Sequence, residues 1–334
     1  MPTLKYRVLC LFLGVVVVQG LGARGSVELT YGPTLWMMPP SSENGREFRE
    51  LFESDPDSWK RTRARIDGLG YADHWLDSQF TDSELKSWLP QVGKWGLKLC
   101  LEVGAIKPWG PTGEKTFDIE HKMWDRFQSD GGKIDTLAMD EPLTACRNEL
   151  HKPFEYAVEE TARFIALVRG KYPDFKIGDI EPYPYFQADE LMAFFDALQN
   201  KLESMHVRGM DFVRLDVDWM HFTAGDPIGQ AGWNGVRTIE LECRKRHIPF
   251  SLIYWAADYP SLRKSNLATD ETWETSILGQ GQAFKSTGAT PDAFVIESWL
   301  DTPSTALPET SKGTFTKSVL DFCNRFLPGK SRRH

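Results

Sequence analysis

A chain of 334 residues, 41% of them apolar, carries enough apolar matter for a sizeable core in one large barrel or two domains. Its formal charge of −8 argues against nucleic acid as a partner. With 12 Trp, 9 Tyr and 20 Phe it is rich in rings, which fill cores first and, where left exposed, make platforms for sugar faces.

Residues 1–26 read as a leader rather than as fold. Lys5 and Arg7 precede an apolar run, Val8 to Val18, and small residues follow around Gly20 to Gly25. That is the layout of a secretory signal peptide. The run is shorter than the roughly 20 residues of a membrane span, and Cys10 lies inside it, which does not fit a lipid-anchored leader. The expectation is an exported chain with no membrane association after cleavage. Cys100, Cys146, Cys243 and Cys323 have no C-x-x-C spacing. A disulfide is allowed after export without being needed, and a zinc site is not expected.

The rest alternates short apolar runs with helical patterns, with no linker or repeat. The first strand is predicted over Glu28–Trp36, then helical Trp59–Ile66 and a second strand at Gly68–Trp75. Thr81-Asp82-Ser83-Glu84 has capping-box spacing and opens a helix to Trp95. In the third strand, Leu97–Ala105, the residues Leu97, Leu99 and Leu101 share one face and Lys98, Cys100 and Glu102 the other. A helix over Phe117–Phe127 leads to the fourth strand, Ile134–Asp140. The next helix has Pro153 near its first turn and Gly170 at its end. Strand five at Phe175–Glu181, a helix at Ala188–Met205 and strand six at Asp211–Trp219 follow. Then come a helix at Gly232–Arg246, strand seven at Ile248–Trp255 and a helix at Asp270–Ser286. Strand eight at Ala293–Leu300 and a helix at Thr314–Phe326 complete the pattern, before a basic tail over 329–334.

Eight such alternations predict a single α/β domain, a (β/α)8 TIM barrel over residues 27–328. A doubly wound open sheet is the competitor. Against it, the first strand–helix junction has no Gly-rich phosphate loop, and a barrel accounts for the count directly.

Barrels of this kind build their sites at the carboxyl ends of the strands. Strand two ends Asp73-His74-Trp75, and strand three carries Glu102. Strand four ends abruptly in Asp140 and Glu141 before Pro142, and strand five in Asp179-Ile180-Glu181. Strand six ends Asp216-Val217-Asp218-Trp219, strand seven Tyr254-Trp255 and strand eight Glu297-Ser298-Trp299. Alternation sends Arg214, Asp216 and Asp218 into the lumen, while Asp179 and Glu181 share a face, so acids from most strands are expected at one mouth. Either some of these carboxyls hold protons, or Arg214, Lys98 or a metal neutralises them. The plain alternatives are a helix-capping role for Asp140 or Glu141, and a buried ion pair of Arg214 with Asp179 or Asp216.

Acids flanked by rings suit glycosidic chemistry. One carboxylic acid protonates the leaving oxygen, while a second group attacks the anomeric carbon, activates water or orients a neighbouring acetamido group. Trp75, Tyr183, Trp255 and Trp299, with His74, Trp219 and Tyr254, are the candidates for holding a sugar. In these features the chain resembles the (β/α)8 glycoside hydrolases. Asp140-Glu141-Pro142 is similar to the Asn-Glu-Pro that ends strand four in their largest retaining clan, whose Glu is the acid/base. Where that clan has a nucleophilic Glu ending strand seven, this sequence has Tyr254-Trp255. The Asp-Glu pair looks more like the substrate-assisted hexosaminidases, which implies Glu141 as acid/base and Asp140 as the group that orients the 2-acetamido substituent. Glu181, Asp216, Asp218 and Glu297 stand as further catalytic or substrate-binding candidates. The expectation is an exported, monomeric carbohydrate-cleaving enzyme that uses no cofactor and no metal.

Two rivals belong to other classes. Glu181, Asp216, His221 and Glu297 resemble the metal site of xylose-isomerase-like barrels, as a sugar isomerase or epimerase would need. A non-catalytic carbohydrate-binding barrel would use the same acids only to hydrogen-bond hydroxyls. The loops at Pro108–Thr116 and Ala257–Thr269 either wall off a pocket or flank a groove.

Overall fold

A computed structural model describes residues 32–222, 226–255 and 269–330. The predicted leader, the start of the first predicted strand, nearly all of the 257–269 loop and most of the basic tail lie outside these residues. Eight parallel strands close in sequence order into a barrel. They are β1 Thr34–Met38, β2 Gly68–Ala72, β3 Lys98–Val103, β4 Ile134–Asp140, β5 Lys176–Tyr183, β6 Phe212–Val217, β7 Phe250–Tyr254 and β8 Ala293–Glu297. The seam is β1 against β8, with Thr34 opposite Ala293 and Met38 opposite Glu297. The predicted TIM barrel is the fold.

Successive side chains on a strand point to opposite faces, and here both faces are buried. Leu35, Met37, Leu69, Leu99, Leu101, Leu137, Met139, Val213 and Leu215 belong to the large core shared with the helices. Trp36, Met38, Cys100, Ala138, Ile180, Ile253, Trp255 and Val295 form a separate cluster, the filling of the lumen. Glycines make room for the largest of these rings. A Cβ on Gly68 would stand 2.2 Å from the Trp36 ring, and one on Gly178 2.2 Å from the Phe212 ring. Apolar side chains thus fill much of the lumen, and its carboxyl groups gather towards the carboxyl ends of the strands.

The helices follow local signals. Glu84 N–H donates to Thr81 Oγ1 (3.3 Å) and Thr81 N–H to Glu84 Oε2 (2.7 Å), the reciprocal capping box expected of that tetrad. Two helices escaped the pattern: Arg46–Glu53 after β1, and Asp73–Gln79 directly after β2. The second takes Asp73, His74 and Trp75 out of the predicted strand. Its first-turn Asp73 is buried and accepts a bond from Trp124 Nε1 at 2.9 Å, a tertiary contact that short-range alternation cannot reveal. Cys100, Cys146, Cys243 and Cys323 are buried free thiols. No helix of the described residues is long and apolar enough to cross a membrane.

Candidate active site

Strand register decides which acids reach the mouth. Ala72 lies opposite Glu102, Glu102 opposite Ala138, Pro182 opposite Asp216 and Met38 opposite Glu297. Paired residues share a face, so Glu102, Asp140, Asp216 and Glu297 are the last inward positions of β3, β4, β6 and β8. The Glu102 and Glu297 carboxyls meet across the lumen and share a hydrogen bond. Burial and the Asp140 charge push Glu102 up to about 7. Burial and the Glu102 charge hold Glu297 well above the carboxylate range. Burial also raises Asp216 to about 8, against the Trp255 indole, which favours its charged form. Much of the acid layer therefore carries protons at neutral pH, the first of the two solutions the sequence allowed.

Arg214 supplies the second only in part: its charge favours the ionised forms of Glu102 and Glu297, but burial outweighs it. Its guanidinium is buried beneath the acids, against Ser251 Oγ (3.4 Å) and Cys100 Sγ (3.9 Å), over the Phe212 ring. The expected ion pair with Asp179 or Asp216 is not formed. Lys98, at the amino end of β3, stands 3.9 Å from Asp135 instead.

The cation at the mouth is Lys107, which the sequence reading missed. Its Nζ lies 2.6 Å from Asp140 Oδ2, and Asp140, Glu141 and Glu149 keep it charged against the pull of burial. Lys107-Pro108-Trp109-Gly110 is a tight turn, closed by Gly110 N–H to Lys107 O (2.9 Å) and Lys107 N–H to Gly110 O (3.1 Å). Proline at the second position presets its φ. Buried Glu120 anchors the loop by accepting from Gly104 N–H at 2.5 Å. A Lys-Pro-Trp-Gly turn just beyond an inward glutamate was the signal available in the sequence.

Glu141 ends β4 in an unusual conformation. Its N–H donates to Ile180 O (3.0 Å), extending the ladder by one residue, and its φ of 52° and ψ of 51° are left-handed. A side chain there costs on the order of 1–3 kcal/mol and persists only where its surroundings enforce it. Burial, then Asp140, Asp216 and Glu181, push its carboxyl up to about 9, against Lys107.

Glu181 and Asp179 are corrections. Met139 lies opposite Asp179 and Glu181 opposite Leu215, so both acids face the helices rather than the lumen. Asp179 is fully buried, neither of its oxygens has a hydrogen-bond partner, and burial keeps it protonated. Glu181 accepts from Leu143 N–H (2.6 Å), Thr144 N–H (3.3 Å) and Thr144 Oγ1 (3.0 Å). Tyr183 and Tyr254 lie on the same helix-facing side. Tyr183 packs against Phe222, with its hydroxyl over Gly235, and Tyr254 packs against Phe294 and Phe322. Both are fully buried and offer a sugar no surface.

Asp218 is buried just past the end of β6, and its charge acts on Asp216. It accepts from the Tyr185 hydroxyl at 2.8 Å, and His221, beside it, engages Asp226 at 2.6 Å. Glu181, Asp216, His221 and Glu297 therefore do not converge as a metal site. Among the described residues no group of three or more His, Cys, Asp or Glu side chains is arranged to hold a metal ion.

Aromatic side chains mark the carboxyl-end loops. Trp75, Trp109, Tyr185 and Trp299 are 39–48% exposed. Trp299 rests on buried Trp255 with ring centroids 4.7 Å apart, and Trp219 Nε1 donates to Trp255 O at 3.0 Å. A cavity of about 180 Å³ opens between His74, Glu102, Lys107, Trp109 and Asp140.

No family model and no curated protein matches this chain. Among solved structures, a GH18 chitinase from Pseudoalteromonas aurantia superposes with a TM-score of 0.51 and 11% identity, over 86% of this chain and 99% of that one. Native xylanase10C from Cellvibrio japonicus gives 0.50 and 7%, over 91% and 73%. The aldolase QR15 gives 0.45 and 14%, over 86% and 95%. At these identities the likeness is one of fold: the barrel hosts several unrelated chemistries, and function must be argued from the site.

Proposed function

We propose that this chain is a glycoside hydrolase in which Glu141 is the general acid/base and Asp140 holds the reacting substituent of the sugar. One observation carries the reading: two adjacent carboxyls at the end of β4 stand in opposite electrostatic settings. Asp140 has an ammonium at 2.6 Å and stays 36% exposed to the mouth. Glu141 is pushed up to about 9 by burial and neighbouring acids, so it holds a proton at neutral pH. A protonated acid beside a paired carboxylate is the division of labour that glycosidic cleavage needs.

The preferred substrate is a 2-acetamido sugar. Glu141 gives its proton to the glycosidic oxygen as the bond to the anomeric carbon breaks. The acetamido oxygen attacks that carbon, and the Asp140 carboxylate accepts the acetamido N–H and offsets the positive charge. Glu141, now ionised, takes a proton from the water that opens the ring so formed, which returns both groups to their starting states. Trp75, Trp109 and Trp299 offer stacking faces around the entrance. Charged Lys107 is unsuited to the amine nucleophile of Schiff-base chemistry, which needs a lowered rather than a raised pKa. Export, as the sequence of residues 1–26 predicts, would place the enzyme among extracellular polysaccharides.

The test is release of the aryl group from aryl 2-acetamido-glycosides by purified protein. Turnover that is abolished by Asp140→Asn supports the reading. Saturable binding of oligosaccharides without any turnover would favour the non-catalytic barrel.

A further inference from the structure

Buried acids on the helix side of a TIM barrel do not reach substrate, yet Glu181 directs three hydrogen bonds to one place. Both its oxygens are engaged by Leu143 and Thr144, the second and third residues after Glu141. The segment between is tightly constrained. Glu141 is in the left-handed region, Pro142 has no N–H to give, and Ala145 N–H returns to Glu141 O at 2.9 Å. From the strand side, Ile180 O holds the Glu141 N–H. Ile180 and Glu181 are neighbours on β5, so consecutive residues of one strand grip the chain on both sides of Glu141.

We propose that Glu181 is the positioning residue of the catalytic acid: it fixes the turn that aims Glu141 into the mouth, and its charge reaches Glu141 through the barrel wall. This rests on the assignment of Glu141 as the acid. An ordinary capping carboxylate makes similar bonds elsewhere: Glu309 accepts from Arg61 N–H (3.0 Å), Thr62 N–H (2.7 Å) and Thr62 Oγ1 (2.7 Å). What sets Glu181 apart is its place: its bonds fall on the second and third residues after Glu141, beside the Ile180 carbonyl that holds the Glu141 N–H, so that once ionised its charge also acts on that carboxyl. The other charged or titratable groups acting on Glu141 are Asp140, Asp216, Lys107 and, next to Glu181, Asp179.

The experiment reads the Glu141 proton directly and needs no substrate. Difference infrared spectra against pH follow the protonated-carboxyl band that is lost in Glu141→Gln. In Glu181→Gln, which keeps the shape and removes the charge, that band should titrate roughly one pH unit lower, the scale of a neighbouring like charge. If this variant does not fold, Thr144→Val serves instead. It removes one donor, leaves Glu181 less ionised and should move the band the same way by less. Glu309→Gln is the control for a cap without electrostatic reach and should leave the band in place. With substrate, Glu181→Gln should lower kcat by roughly 10²-fold, the effect of a misplaced catalytic group, with KM little changed. A Glu141 band at the wild-type pH in Glu181→Gln or Thr144→Val overturns the inference. Absence of a Glu141 band in the wild-type protein at neutral pH instead contradicts the acid assignment itself.

Discussion

Lys107 Nζ lies 2.6 Å from Asp140 Oδ2, so the residue before Glu141 is ion-paired at the mouth. The lysine comes from the loop after β3 and the aspartate from the end of β4. The pair therefore ties the mouth together as well as setting its charge.

Lys107→Met should uncouple these roles. The Lys107 side chain is only 16% exposed, so its loss leaves Asp140 among acids with nothing to offset it. The kcat should fall on the order of 10²-fold, the usual result of removing one preorganised electrostatic partner. Steady-state kinetics at pH 6 and pH 8 measure this. A kcat equal to that of the wild type at both pH values would leave the ion pair a structural role only.

The acid layer sets the pH dependence of stability. Glu102 is raised to about 7, Glu181 and Asp216 to about 8, and Glu141 to about 9. For an acid raised by folding, the native state binds more protons than the unfolded chain between the two pKa values, so stability falls as pH rises through that window. Thermal unfolding should show a decline in Tm from about pH 5 to about pH 9. Glu84, Asp125 and Asp196 act oppositely: hydrogen bonds and cations lower them, and their contribution is lost on acidification below the ordinary carboxylate range. A Tm that climbs steadily from pH 5 to pH 9 would contradict a protonated mouth.

Exposed rings at the rim should act on binding rather than on chemistry. Trp109→Ala and Trp299→Ala are each expected to raise KM roughly 3–10-fold, from about 0.5–1.5 kcal/mol of lost ring contact, with kcat nearly unchanged. Inhibition by a non-hydrolysable oligosaccharide should weaken in parallel. A loss confined to kcat would place these rings in a different role.

The barrel was legible because eight short apolar runs alternate with helical periods, and β4 was predicted to the residue. The inward positions of Arg214 and Asp216 on β6 followed from strict alternation. β5 misled, because Asp179 and Glu181 are polar residues facing the helix layer; alternation shows that they share a face but not which one. Register against β4 decides it, through the opposition of Met139 and Asp179. Tyr183 and Tyr254 failed for the same reason: a ring near a strand end suits either a mouth or a core. Arg214 was correctly sent inward, but its neighbours, Cys100 of β3 and Ser251 of β7, come from strands far apart in sequence. Lys107 was hidden because it sits on a loop, where neither period applies.

The central claim is that Glu141 delivers a proton to the leaving group. The most direct measurement compares Glu141→Gln with the wild-type protein on two aryl 2-acetamido-glycosides, one with a poor leaving group and one so acidic that it departs without protonation. General acid catalysis contributes roughly 10²–10⁴-fold, so the variant should lose that much on the poor leaving group and far less at the bond-breaking step on the good one. Equal losses on both substrates, or full activity on either with Asp216→Asn or Glu297→Gln inactive, would place the acid on another strand.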